Sequence, residues 1–273
     1  MSHPAIDPPP KLRNLSGLVP VMRLAERVDL AGLVDARVRP DLPAGANPGG
    51  KVAAIVAGMT AGADCIDDLD LLRHGGMKAL FDGVYAPSTL GSFLRFFTWG
   101  HGLQLEAASR DLLAALAERV VRRVRERNPA PAGQEELFPI WRYHAFLTDT
   151  DSSTVEADLT HRAHASQEQA FAGLIDGPLA HLPSGRLAAY AAWLTLAAMA
   201  HNLLRAAGCL ADDSSGGTHA RARAATLRRK LINIPARITR HARRLIIHLP
   251  AGWRWRHGWQ RLFTNTHSPP ATA

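Results

Sequence analysis

The sequence predicts a mainly α fold with a small β component, in the α+β class, and three observations carry that reading. Apolar residues recur at three- and four-residue spacing through most of the chain. Alanine supplies much of the 47% hydrophobic content while aromatics contribute 6%, which favours a helix-rich core thin in large side chains. The best strand is the aromatic-rich stretch Ile140 to Asp149, and a short second one is expected over Leu245 to Leu249.

Taken in order, residues 1–14 form a proline-rich, disordered lead-in without an apolar core, so no signal peptide is expected. From Ser16 to Val38, Leu18, Val21, Leu24, Val28, Leu30, Leu33 and Val34 mark one amphipathic helix or two short ones, with Ser16 available as the N-cap. Pro40 to Gly50 reads as a loop and Lys51 to Ala61 as a buried helix. Asp67, Asp68 and Asp70 then sit near a helix start; three acids this close invite a metal reading, but pairing with the helix dipole on a solvated face is the simpler account. Gly75 and Gly76 break that helix, a short one follows, and another opens with Ser88 as candidate cap and Phe93, Phe96, Phe97 and Trp99 as its bulk.

Helical pattern resumes at Gln104 and runs to Pro129, but its character changes near Val120. Leu112, Leu113 and Leu116 are core-like, and then Arg119, Arg122, Arg123, Arg125 and Arg127 crowd together. Pro129 to Pro139 is a linker. A polar helix around His161 to Glu168 precedes a long apolar one, whose apolar run from Leu187 to Ala200 stops at His201 and Asn202. That run falls short of the roughly 20 residues needed to cross a bilayer, so no membrane partner is expected. Asp212 to Gly217 is an exposed loop, followed by a basic helical stretch interrupted near Pro235, the second strand, and a segment where Trp253, Trp255 and Trp259 alternate with arginines.

At 273 residues the chain can bury one large core or two modest ones. Cys65 and Cys209 are far apart and lack a CxxC partner, which argues against a disulfide framework or zinc ribbon and fits a reducing, cytoplasmic compartment. The net charge of +8 is unevenly placed. From Ser214 onward twelve Arg or Lys stand with no acid, whereas the first 213 residues hold 20 bases against 24 acids. The tail therefore faces a polyanion: cations interleaved with tryptophans suit phosphate contact plus base stacking, although a solvated helix face or an anionic-membrane surface helix has the same composition.

His161, His164 and Glu168, at i, i+3 and i+7, share one helix face. Two imidazoles and a carboxylate suit zinc; alternatively Glu168 is one of several carboxylates holding magnesium while Arg162 and the histidines grip DNA. A solvated polar face explains the same spacing. Asp149 and Asp151, at the end of the first strand, are the nearest additional acids and are equally ordinary as turn residues. No Walker loop, GxGxxG, GxSxG, HExxH or internal repeat is present.

Two blocks carry a family resemblance. The first, Leu15 to Arg119, contains SGLVPVMRLAERVDL, ANPGGKVAAIVAGMTAGADCIDDLDLLRHGGM and FDGVYAPSTLGSFLRFFTWGH. The second, Val120 to Phe263, contains ELFPIWRYHAFLTD, HRAHASQEQAFAGLIDGPLAHLPSG, AAWLTLAAMAHNL and HARARAATLRRKLINIPARI. In these phrases and their order the chain resembles the DDE insertion-sequence transposases, bacterial enzymes with a ribonuclease-H-like core. Such enzymes carry two catalytic aspartates on strands of the form VDIDST and ADSAYY, and neither string occurs here. The resemblance therefore implies an internal deletion joined near Val120. It divides the chain into the lead-in (1–14), a helical N-terminal domain (15–119), a junction and linker (120–139), the remnant of the catalytic core with the glutamate helix (140–213) and a basic DNA-facing segment (214–273).

By its place in HRAHASQE, Glu168 matches the third acid of the triad, the catalytic and metal-holding glutamate. In many relatives this helix reads Tyr, two residues, Arg, three residues, Glu, six residues, Lys, where this chain has His161, His164, Glu168 and Ile175, with Arg162 alongside. The resemblance implies magnesium as cofactor, transposon-end DNA as partner, a nucleoid-associated location, and DNA contact by His161, Arg162, His164, Arg221, Arg223, Arg228, Arg229, Lys230, Arg237 and Arg240. Homodimerisation is left open. With one carboxylate of three, strand cleavage and joining is expected to be lost. Removing the central strands should also leave apolar surface of the core uncovered. Two other readings are a working nuclease in which Asp149 and Asp151 replace the missing acids, and a helical scaffold or zinc-binding remnant without a DNA role.

Overall fold

A computed structural model describes residues 15–39, 46–75, 77–81, 83–127, 153–212, 217–241 and 244–268. The expected strand Ile140 to Asp149, with Asp149 and Asp151, lies outside the described residues. What is described is mostly helical with one small sheet, the mainly α fold with a minor β component that the sequence predicts.

The opening amphipathic stretch is two helices, α1 (Leu18–Arg27) and α2 (Leu30–Arg37). Asp29 separates them in a left-handed conformation, φ 54°, and its carboxylate caps α2 by accepting from Gly32 N at 3.2 Å. Gly17, not Ser16, is the N-cap of α1, and no side chain caps it. The reason is tertiary: Gly17 N donates to Ile232 O at 3.2 Å, so this end docks against a distant backbone, and Ser16 is buried.

Helix α3 (Pro48–Ala61) begins ahead of the expected Lys51, because Asn47 caps Gly50 N at 3.0 Å and Pro48 fits the first turn. Asp67, Asp68 and Asp70 do open a helix, a 3₁₀ turn over Asp67–Arg73. Gly75 at φ 59° leads to α4 (Met77–Leu80). Helix α5 (Pro87–Arg95) starts on Ala86 with Pro87 in the first turn, so Ser88 lies within the helix rather than capping it. Phe93 and Phe97 meet edge to face at 5.0 Å in the core, whereas Phe96 and Trp99 face solvent. Helix α6 (Trp99–Arg127) buries Leu105, Ala108, Leu112 and Leu116 at helical spacing and leaves Leu113 exposed.

A capping box, Ser153 with Glu156, starts α7 (Thr154–Ile175). Helix α8 (Leu187–Ala211) is the centre of the fold, packing on α3, α5, α6 and α7 and on α1. It is long and apolar enough to cross a membrane by length and composition, longer than the apolar run alone suggests. Here its alanines admit close neighbours, and Trp193, Leu196, Met199, Leu203, Leu204 and Leu210 are buried. Trp193 satisfies its buried indole N–H on Pro178 O at 2.6 Å.

The basic helical stretch expected after Gly217 is mostly something else. Only α9 (Ala224–Leu227) and a π turn over Arg228–Ile232 are helical. Pro235 then ends helical bonding, and Arg237–His241 forms β1 against β2 (Arg244–His248), antiparallel, with Arg237 opposite His248 and Arg240 opposite Leu245. Ile238 and Thr239 favour extended backbone, a preference that basic composition obscured. Helix α10 (Arg256–His267) closes the chain against α1 and α8, so one continuous core joins residues from Leu15 to Leu262.

Candidate nucleic-acid interface

Glu168 stands exposed on α7, and helical backbone places His161, Arg162 and His164 in the same helix. What faces Glu168 across the fold is basic. A recess of about 420 Å³ is lined by Glu168, Gln169, Asp176, Arg223 and Arg228 among others. A second, of about 540 Å³, shares Gln169, Gly173, Arg223 and Ala224 with it and adds His201, Arg205 and Arg221. Small residues make the space: Gly173 has nothing within 4 Å of where a side chain would begin, and Ala222 and Ala224 form the opposite wall.

The far wall is built by α8. Arg205 donates to Ala222 O at 2.7 Å and also to Ala220 O, which folds the 220–223 turn back onto α8 and presents Arg221 and Arg223 to solvent. Arg228, half-buried, has an Nε with no hydrogen-bond partner, and burial lowers its affinity for its proton. Burial, reinforced by the Arg205 and Arg228 guanidinium groups, holds the His201 imidazole below its ordinary value. His201 and Arg205 escaped the sequence reading as site residues. Their signal was present, a histidine and an arginine four apart within an otherwise apolar helix.

The other expected DNA contacts of the basic segment are not among the residues that line these recesses. Arg229 is exposed on the π turn, and Lys230 lies over the Trp255 ring at 6.0 Å. Arg237 and Arg240 are exposed on β1. Trp259 departs from expectation: it is buried and stacks on Phe263 at 5.1 Å, so it serves the core and offers no face to a base. Trp253 and Trp255, half-buried, meet edge to face at 6.2 Å.

Among the described residues, the surroundings of Glu168 do not supply the carboxylates that paired magnesium ions need. Asp176, eight residues along α7, is the other acid at this recess, and the groups opposite are guanidinium ions. A group able to hold a metal lies elsewhere among the described residues. Asp64, Cys65 and Asp68, after α3, offer one ligand atom each within 4.8 Å of one another, and His181 Nδ1 is 3.3 Å from Asp64 Oδ1. The third acid of that turn, Asp70, is instead held by Arg73 at 2.7 Å and by His74, and these contacts, Arg73 first, pull its carboxyl below the usual range.

Helix α7 also carries an uncovered apolar set: Val155, Leu159, Phe171 and Ile175 are 70%, 62%, 60% and 60% exposed. Only Ala157 and Leu174 of this helix are buried among its described side chains. No protein-family model, curated protein or solved structure matches the chain.

Proposed function

We propose that this chain is a DNA-binding protein descended from a DDE insertion-sequence transposase and unable to cut and join DNA. The observation that carries the reading is the neighbourhood of Glu168, where among the described residues Arg223 and Arg228 line the same recess and Asp176 is the single further carboxylate. Two guanidinium groups beside two carboxylates leave a pair of divalent ions under-neutralised there, while Arg221 and Arg223, exposed at the neighbouring recess, offer counter-ions to phosphate. Two further features support it. The tail from residue 214 holds twelve bases and no acid. The uncovered apolar side chains of α7, Val155 and Leu159 near its start and Phe171 and Ile175 near its end, are what deletion of packed central strands would leave behind.

Magnesium, the cofactor that the resemblance implies, finds no adequate donor set at Glu168 among the described residues, so no catalytic step is assigned to it. The Asp64, Cys65 and Asp68 group favours a second reading, a metal-binding helical remnant with no DNA role. One experiment separates them. Purified protein is incubated with DNA carrying the element's inverted ends, with Mg²⁺ or Mn²⁺, and both mobility and cleavage are followed. Retardation without cleavage, weakened steeply by salt and by Arg237→Gln with Arg240→Gln, is expected. Cleavage lost on Glu168→Ala defeats the claim of inactivity, and absence of retardation favours the metal-binding remnant. Removing residues 214–273 is not a usable control, because Leu227, Leu231, Ile232, Trp259 and Leu262 belong to the core.

A further inference from the structure

The hairpin of β1 and β2 stands apart from the core that unites the rest of the fold. Ile234 and Ala236 before it are buried, and Leu249 after it packs on the core, so its base is rooted. No residue of either strand belongs to that core or packs against it, and neither strand pairs with a further strand among the described residues. A two-stranded hairpin alone is marginally stable in water, so one that projects without a core behind it is not explained by stability.

The antiparallel register sorts the side chains onto two faces. Arg237, Thr239, Arg244, Ile246 and His248 share one, and Ile238, Arg240, Leu245 and Ile247 share the other. On the first face Arg237 stands at the root and Arg244 at the tip, both exposed, with Thr239 opposite Ile246 between them. Thr239 Oγ1 and His248 Nε2 meet at 2.8 Å, which fixes these two side chains relative to one another. Neither arginine forms an ion pair with a described residue, and the segment from residue 214 onward has no acid to supply one. Cations along both strands also oppose edge-to-edge pairing with a second copy.

We propose that this hairpin is a β-ribbon that lies in the major groove of a DNA duplex, with the face of Arg237, Thr239, Arg244, Ile246 and His248 toward the bases. The inference rests on the DNA-binding reading above and adds to it a groove and a face. The dimensions match: two strands about 4.8 Å apart, with their side chains, fit a groove about 12 Å wide. Five residues per strand, at about 3.4 Å each, run along about five base pairs. So does the chemistry, because guanidinium forks pair with O6 and N7 of guanine, a threonine hydroxyl donates or accepts, and an apolar side chain packs on thymine methyl groups. DNA is favoured over duplex RNA because the major groove of the A-form is too deep and narrow for side chains to read. Single strands are disfavoured because residues 237–248 contain no Phe, Tyr or Trp on which bases stack.

The test measures binding of the full chain, by fluorescence anisotropy, to a short mixed-sequence DNA duplex and to the same duplex with its cytosines replaced by glucosylated 5-hydroxymethylcytosine. The neutral sugar fills the major groove and leaves the phosphate charge unchanged. The glucosylated duplex is expected to bind about tenfold more weakly, as loss of base-edge contacts allows. Arg237→Gln with Arg244→Gln should bring the two duplexes close to equal, whereas Arg240→Gln, on the other face, should weaken both alike and keep the ratio. These variants should melt with the unaltered chain, because the hairpin lies outside the core, and the comparison of the two duplexes on the unaltered chain needs no variant. Duplex RNA of the same sequence should bind no better than the glucosylated DNA. Equal binding of plain and glucosylated duplexes, or of DNA and RNA duplexes, overturns the ribbon while leaving general DNA binding intact. A ratio lost in Arg240→Gln and kept in the Arg237 and Arg244 pair overturns the assigned face. Binding to neither DNA duplex removes the ribbon and the DNA-binding reading together.

Discussion

Asp212 and His219 form a buried pair that holds the two halves of the basic segment to α8. The Asp212 carboxylate lies 2.7 Å from His219 Nδ1 and accepts from His219 N at 3.1 Å and Ala220 N at 2.6 Å. The other face of the His219 ring meets α10, where a side chain on Gly258 would begin 3.0 Å from His219 Cε1. One carboxylate thus sets the 219–223 turn, and through it the mouth of the recess and the seat of α10.

Asp212→Ala should therefore cost about 2–4 kcal/mol of unfolding free energy, because two backbone donors and a ring nitrogen would be left buried without their acceptor. Urea unfolding followed by circular dichroism reads this as a lower midpoint with unchanged slope. A loss within about 0.5 kcal/mol, as for an ordinary surface substitution, would mean that the pair does not hold the turn.

Gly17→Ala should be still more damaging. A Cβ there would begin 1.7 Å from the Leu231 carbonyl oxygen and 2.7 Å from Ile232 Cα, so backbone must move at both ends of the chain. We expect at least about 3 kcal/mol, as for overpacking against immovable neighbours. Gly102→Ala is the control: it lies in α6 with nothing within 4 Å, and should stabilise by about 0.5–1 kcal/mol through helix propensity.

These two positions show where sequence reading stops. Periodicity and caps made most helices legible, because a stripe such as Leu105, Ala108, Leu112 and Leu116 is a local property of the chain. Gly17 reads locally as an ordinary residue after Ser16; its role comes from Leu231, more than two hundred residues away. The hairpin was half legible: Leu245 to Leu249 showed as a strand, while β1 was hidden because its arginines looked helical in a basic run. Charge composition located the basic segment, but the recess needed His201 and Arg205 from α8, brought there by folding.

Trp259 separates a stacking platform from a core residue. Its burial and its stack on Phe263 predict that Trp259→Ala costs about 3–5 kcal/mol. The same variant, studied where it remains folded, should bind DNA with unchanged affinity. A selective loss of DNA binding at intact stability would return the residue to the interface.

The exposed apolar side chains of α7, two near its start and two near its end, predict self-association. Substituting Val155, Leu159, Phe171 and Ile175 together by Gln should lower light scattering and dye binding by exposed apolar surface, with little change in unfolding free energy, since these side chains are mostly in water already. A large loss of stability would place those side chains inside the fold instead.

Acid should weaken the fold through His201, and the direction follows from where its proton sits. Burial first, then Arg205 and Arg228, keep the folded imidazole below its ordinary value of 6.5. As pH falls through that value the unfolded chain takes up a proton that the folded chain refuses, so stability present above pH 6.5 is progressively lost below it. His267, lowered chiefly by its own burial, contributes with the same sign. Unfolding free energies measured from pH 8 to pH 5 should therefore decline on the acid side, and His201→Gln should flatten the slope. A profile indifferent to His201→Gln would show that this histidine does not carry the acid sensitivity of the fold.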